Sequence, residues 1–121
     1  MNINFESEIP IYIQIAEAIE DGILSGAFPE ETQVPSTTEI SVSYKINPAT
    51  VLKGMTILTD EAILYKRRGV GMFVSIGASE KILLKRRRAF YDSYIRKLLD
   101  EAAKLKIGQD DIIDMIRGKQ L

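Results

Sequence analysis

Residues 35–74 read PSTTEISVSYKINPATVLKGMTILTDEAILYKRRGVGMFV. Ser36 suits a helix N-cap, and Glu39 three residues on completes a capping box, so a short helix is predicted over residues 37–44. Asn47 then caps a further helix with Pro48 at its first position, where a missing N–H costs least. Val51, Met55 and Leu58 recur at i, i+4 and i+7 and are predicted to face a core, with Gly54 allowing close packing against the preceding helix. Asn47, Thr50 and Lys53 are left for another surface. Two β-prone runs, 63–66 and 72–75, flank Arg67-Arg68-Gly69-Val70-Gly71 and read as a hairpin with a basic, glycine-bearing tip. Helix, turn, helix and basic hairpin in that order predict a winged helix-turn-helix, a mainly α fold with a small β-hairpin. Such a fold offers one helix to a DNA major groove and one hairpin to the neighbouring minor groove.

Working outward, a first helix is expected from Pro10 to about Gly26, with Tyr12, Ile15, Ile19 and Ile23 on its apolar face and Gln14, Glu17 and Asp21 toward water. FPEETQVP, at 28–35, lacks periodicity and reads as a connector. Beyond the hairpin, one helical pattern runs from about Ala78 to Lys106, and a short helix follows Gly108 over 110–117. Leu84, Tyr91, Ile95, Leu98, Ala102 and Leu105 form an apolar stripe broken by Arg88. The core of the domain is already supplied upstream, so this stripe is expected to serve dimerisation. The predicted organisation is a DNA-binding domain over 1–77 and a two-helix dimerisation or effector tail over 78–121.

Charge is segregated along the chain. Residues 1–44 hold eight acidic side chains and no basic one, residues 45–97 hold twelve Lys/Arg against four Asp/Glu, and the total is only −1. A basic middle attracts phosphates whatever the net charge. Lys81 and Lys85-Arg86-Arg87-Arg88 form a second basic patch, equally consistent with flanking DNA contact and with a solvated face.

The chain lacks cysteine and histidine, which excludes disulfides, thiolate nucleophiles and zinc sites of the Cys/His kind. No carboxylate pair or phosphate-binding loop suggests catalysis, and no metal or cofactor is expected. MNINFESEIP has no basic start followed by an apolar run, and no stretch approaches a membrane span, so a cytoplasmic protein without membrane attachment is expected.

Four ordered motifs carry a family resemblance: PIYIQIAEAIEDGILSGAF, VPSTTEIS, INPATVLKGM and YKRRGVGMFV. Over residues 10–74 the chain resembles the GntR family of bacterial transcriptional regulators, and its short helical tail resembles the YtrA-type branch. The resemblance implies a homodimer on a partly palindromic DNA operator, acting as a repressor of its own operon, one of transporter type. It places Ser36, Thr37 and Thr38 at the backbone-contacting start of the second helix. Asn47, Pro48, Thr50 and Lys53 fall on the recognition helix, and Arg67, Arg68, Gly69 and Gly71 in the wing. Thr38 and Leu52 stand where many relatives carry arginine, and Met72 where the wing usually has threonine. A small-molecule effector is expected between tail and DNA-binding domain or across the dimer. The competing reading is an adaptor module whose basic middle docks on an acidic protein.

Overall fold

A computed structural model describes residues 1–119 of the chain. It divides into two compact units, the first ending at Leu83 and the second starting at Leu84.

In the first unit, α1 (Ile11–Leu24) begins after Pro10, whose carbonyl accepts from the amides of Ile13 and Gln14. Its Ile15, Ile19 and Ile23 are buried as the spacing predicts. Gln14 is not turned to water. It is buried and ties down the N-terminal segment, accepting from the Asn4 amide at 2.7 Å and donating to the Asn4 and Ile9 carbonyls at 2.9 and 2.8 Å. The polar side chain escapes a desolvation penalty because all three bonds are made.

The predicted capping box starts α2 (Thr37–Tyr44): Glu39 N donates to Ser36 Oγ at 3.0 Å, and Ser36 N donates to Glu39 Oε1 at 3.2 Å. Lys45 ends α2 in the left-handed region, φ 54°, which turns the chain sharply. Ile46 N reaches back to the Ser41 carbonyl, and Ser41 Oγ donates to the Ile46 carbonyl at 2.6 Å, locking the turn into α3 (Pro48–Asp60).

Val51, Met55 and Leu58 of α3 are fully buried, as predicted. Gly54 has a different neighbour from the one expected. A Cβ added there would lie 2.6 Å from the Tyr12 carbonyl oxygen and 3.2 Å from Ile15 Cβ, so the close approach is with α1 and not with α2. The reason is that the buried face of α3 packs mainly on the Ile15–Ile19 face of α1, and Gly54 lies on that face.

The hairpin β1 (Leu64–Arg67) and β2 (Gly71–Val74) pairs antiparallel, with Leu64 opposite Val74 and Arg67 opposite Gly71. The connector does more than link helices. Glu31 N donates to the Val74 carbonyl, Val74 N to Thr32, and Val34 N to Met72, so residues 31–34 run along the free edge of β2. Backbone pairing needs no side-chain periodicity, which is why the stretch reads as a loop in sequence. Leu64, Val74 and Ile63 close the core from this side.

The tail opens with α4 (Ala78–Phe90), whose Ala78 and Ile82 are buried in the core of the first unit. Packing therefore carries that unit past residue 77. Lys81 Nζ donates to the Ala62 carbonyl at 3.0 Å, so this member of the second basic patch holds the turn after α3. A π-helical turn, Tyr91–Ile95, separates α4 from α5 (Arg96–Lys104), and α6 (Gln109–Ile116) follows. Backbone angles at Phe90, Ile95 and Arg96 stay helical throughout.

Within the stripe, Leu84, Tyr91, Leu98 and Leu105 are exposed and Ile95 is half-buried. Ala102 departs from it. At 6% exposure it is buried within the chain and offers no surface to a second copy. The cause is the helix end: Lys106 at φ 57° reverses the backbone, and Ile107 N returns to the Ala102 carbonyl at 2.9 Å. No helix among the described residues is long and apolar enough to cross a membrane.

Candidate nucleic-acid interface

The backbone amides at the two helix starts are used differently. At α3, Pro48 has no N–H, Ala49 N is taken by Asn47 Oδ1 at 2.8 Å, and the amides of Thr50 and Val51 both go to the Asn47 carbonyl. At α2, the Ser36–Glu39 box satisfies only Ser36 and Glu39 and leaves the Thr37 and Thr38 amides without an acceptor among the described residues. Thr38 is exposed there, while Ser36 and Thr37 are half-buried. Open amides at the positive end of a helix suit a phosphate oxygen.

Pro48 and Ala49 are exposed on the first turn of α3, and Thr50 is half-buried. Leu52 is 49% exposed on the second turn. Lys53 is exposed but folds back, its Nζ 4.0 Å from the Tyr12 ring centroid on α1. A cation over an aromatic face is attracted by the ring quadrupole, so Lys53 leaves α1 only against that pull. Lys45, in the turn between the helices, is a further exposed cation on the same motif.

The wing is built around its glycines. Val70 N donates to the Arg67 carbonyl at 2.9 Å across the tip, and Gly69 and Gly71 have φ of 76° and 147°, angles that L side chains disfavour. Arg68, Gly69 and Val70 are exposed at the apex. Arg67 is steered rather than free: its guanidinium lies 4.8 Å from the Phe73 ring centroid, and Phe73 stacks on Tyr65 at 5.9 Å. Tyr65 donates to Glu31 Oε2 at 2.9 Å. That hydrogen bond holds the Tyr65 hydroxyl above its usual pKa, with desolvation and the Glu31 charge adding to it.

The structure thus joins Arg67, Arg68, Gly69 and Gly71 in one exposed basic hairpin, and β1 packs beside α3. Sequence reading missed the wing's support, Gln33, Glu31 and Tyr65. Gln33 and Glu31 sit in a stretch with no period, and their only signal is polarity between two prolines.

The model of the gntR family of bacterial regulatory proteins matches residues 11–74, from the first turn of α1 to the end of β2. The chain belongs to this family. It is 37% identical over 83 residues to the transcriptional repressor NagR of Bacillus subtilis, an alignment covering 69% of this chain and 34% of NagR. Identity to the repressor YtrA of the same organism is 30% over 83 residues, covering 69% of this chain and 64% of YtrA. The chain thus spans about a third of the length of NagR. A solved GntR-family regulator from Bacteroides thetaiotaomicron superposes with a TM-score of 0.76 at 32% identity, over 89% of this chain and 94% of that one. Membership places the chain among DNA-binding transcription regulators of the GntR family, YtrA type, and not among enzymes. The adaptor reading finds no support among these relatives.

Proposed function

We propose that the chain is a cytoplasmic homodimeric repressor that binds a palindromic operator, one lying upstream of its own transporter-type operon. The observation that carries the DNA reading is the wing. Arg67 is held on Phe73 and Arg68 stands at an exposed glycine tip, in a hairpin packed beside the recognition helix α3. Thr37 and Thr38 amides with Arg67 and Arg68 are the phosphate contacts. The exposed start of α3, with Asn47, Pro48, Thr50 and Lys53, faces base edges. Leu84, Tyr91, Leu98 and Leu105 are the exposed apolar surface for the second copy. A two-fold dimer sets half-sites about 34–36 Å apart, one turn of DNA.

A small-molecule effector, expected between the tail and the DNA-binding domain or across the dimer, has a further candidate place in the first unit. An open groove of about 640 Å³ runs beside α1, lined by Asn4, Ile9, Gln14, Glu17 and Phe28 among others, all in the first unit.

Fluorescence anisotropy with duplexes from the upstream region tests the reading. R67A/R68A is expected to weaken binding to all duplexes and to flatten the plot of log affinity against log salt, by about 0.9 for each phosphate left without its cation. An unchanged salt slope refutes the wing assignment. A light-scattering mass of one chain refutes the dimer.

A further inference from the structure

Gln33 lies outside both the recognition helix and the wing, yet it grips the wing at its tip. Its Nε2 donates to the Val70 carbonyl at 2.9 Å, thirty-seven residues away in sequence. The amide also lies directly against Gly71, where an added Cβ would strike Nε2. The second wing glycine therefore does two things. It takes a φ of 147°, and it leaves room for a glutamine amide to lie on the hairpin backbone.

Gln33 is itself firmly seated. It pairs with Phe73 across the edge of β2, and the bonds Val34 N to Met72 O and Val74 N to Thr32 O, both 3.0 Å, flank it on either side. The Val70 residue is consequently held at both ends: its N–H by the Arg67 carbonyl and its C=O by Gln33. A three-residue tip that contains Gly69 and runs into Gly71 would otherwise sample many conformations, since glycine loses the most freedom when fixed.

We propose that Gln33 is a positioning residue for DNA binding, fixing the wing tip in the shape that delivers the wing arginines to the duplex. The proposal rests on the DNA-binding role of the wing. Its logic is a population argument: if only a fraction of free molecules carries the competent tip, the apparent Kd rises by the inverse of that fraction. One net hydrogen bond is worth about a threefold to tenfold change in that population.

The test uses Q33M, which keeps the length of the side chain and its neutrality but has no donor. Upstream duplex affinity is measured by anisotropy for wild type, Q33M, R67A/R68A and the triple variant. Hydrogen exchange of the Val70 amide is followed by NMR in the first two. The expected result is an about threefold to tenfold weaker affinity for Q33M with the arginines present, no further weakening on the R67A/R68A background, and faster Val70 exchange. Q33M binding like wild type overturns the proposal. So does a loss of equal size in both backgrounds, which would mean that Gln33 acts on DNA by another route. If R67A/R68A binds as well as wild type, the wing reading itself fails. That outcome is visible without Q33M, and Val70 exchange then reports alone on whether Gln33 holds the loop.

Discussion

Replacing Gly54 by alanine sets two effects of opposite sign against each other. In an isolated helix the change stabilises by about 1 kcal/mol, because glycine is the poorer helix former. Here the new Cβ would sit 2.6 Å from the Tyr12 carbonyl oxygen and 3.2 Å from Ile15 Cβ and Cγ2. Ordinary contact starts at 3.4 Å, so α1 must retreat from α3 by 0.8 Å (3.4 − 2.6). The obstructing atom is backbone and has no rotamer to change, which puts the cost at the upper end of overpacking, about 3 kcal/mol. Subtracting the propensity gain leaves a net loss of about 2 kcal/mol. With an m-value of about 1.3 kcal/mol/M for a small domain, the urea midpoint falls by about 1.5 M. An unchanged or raised midpoint for G54A would mean that α1 and α3 do not approach this closely and that the core is organised otherwise.

Three further substitutions probe separate features. Ala62 sits exposed at φ 57° after α3, closing the helix with Ile63 N on the Leu58 carbonyl, so A62G is expected to stabilise by about 0.5 kcal/mol; a lower melting temperature refutes this. S36A removes the Oγ that accepts from Glu39 N, while the Ser36 backbone N–H still reaches Glu39 Oε1, and is expected to cost about 1 kcal/mol, read by thermal unfolding; no loss would show that α2 starts elsewhere. Tyr65 has its folded-state pKa raised by Glu31, so this bond supports the fold below the unfolded pKa of 10.0 and is lost as pH rises through the folded value. E31Q is expected to lower the Tyr65 ionisation midpoint, measured by phenolate absorbance with Y65F as the blank, and an unmoved midpoint would exclude the Tyr65–Glu31 bond.

Features set by local chemistry were readable from the residues alone. The Ser36–Glu39 box, the Asn47-Pro48 start and the Val51-Met55-Leu58 face need only neighbours within a turn or two, and all three stand as read. What escaped depends on partners remote in sequence. Gln14 looks like a solvent-facing residue until the N-terminal segment folds back on it. Gly54 announces a close approach, but its spacing does not say to which helix. Residues 31–34 pair through backbone alone, and Ala102 is covered by a helix reversal that the apolar period cannot register.

The same bonds that shape the motif also decide how it reads DNA. Asn47 Oδ1 is taken by Ala49 N, which leaves its Nδ2 donors, Lys53 lies over Tyr12, and Thr50 is half-buried, so few polar groups remain at the exposed start of α3. Pro48, Ala49, Leu52 and the stem of Lys53 are what the first two turns expose. Apolar side chains in a major groove distinguish bases through the thymine methyl and through shape, with less discrimination per contact than a bidentate arginine on guanine. On the DNA-binding reading, affinity then comes chiefly from the open amides of Thr37 and Thr38 and from the wing arginines, which are indifferent to sequence. On the same reading, specificity must be gathered from several weak apolar contacts along α3. A loose wing would weaken the attraction to every duplex, because the contacts it fails to deliver are the sequence-indifferent ones.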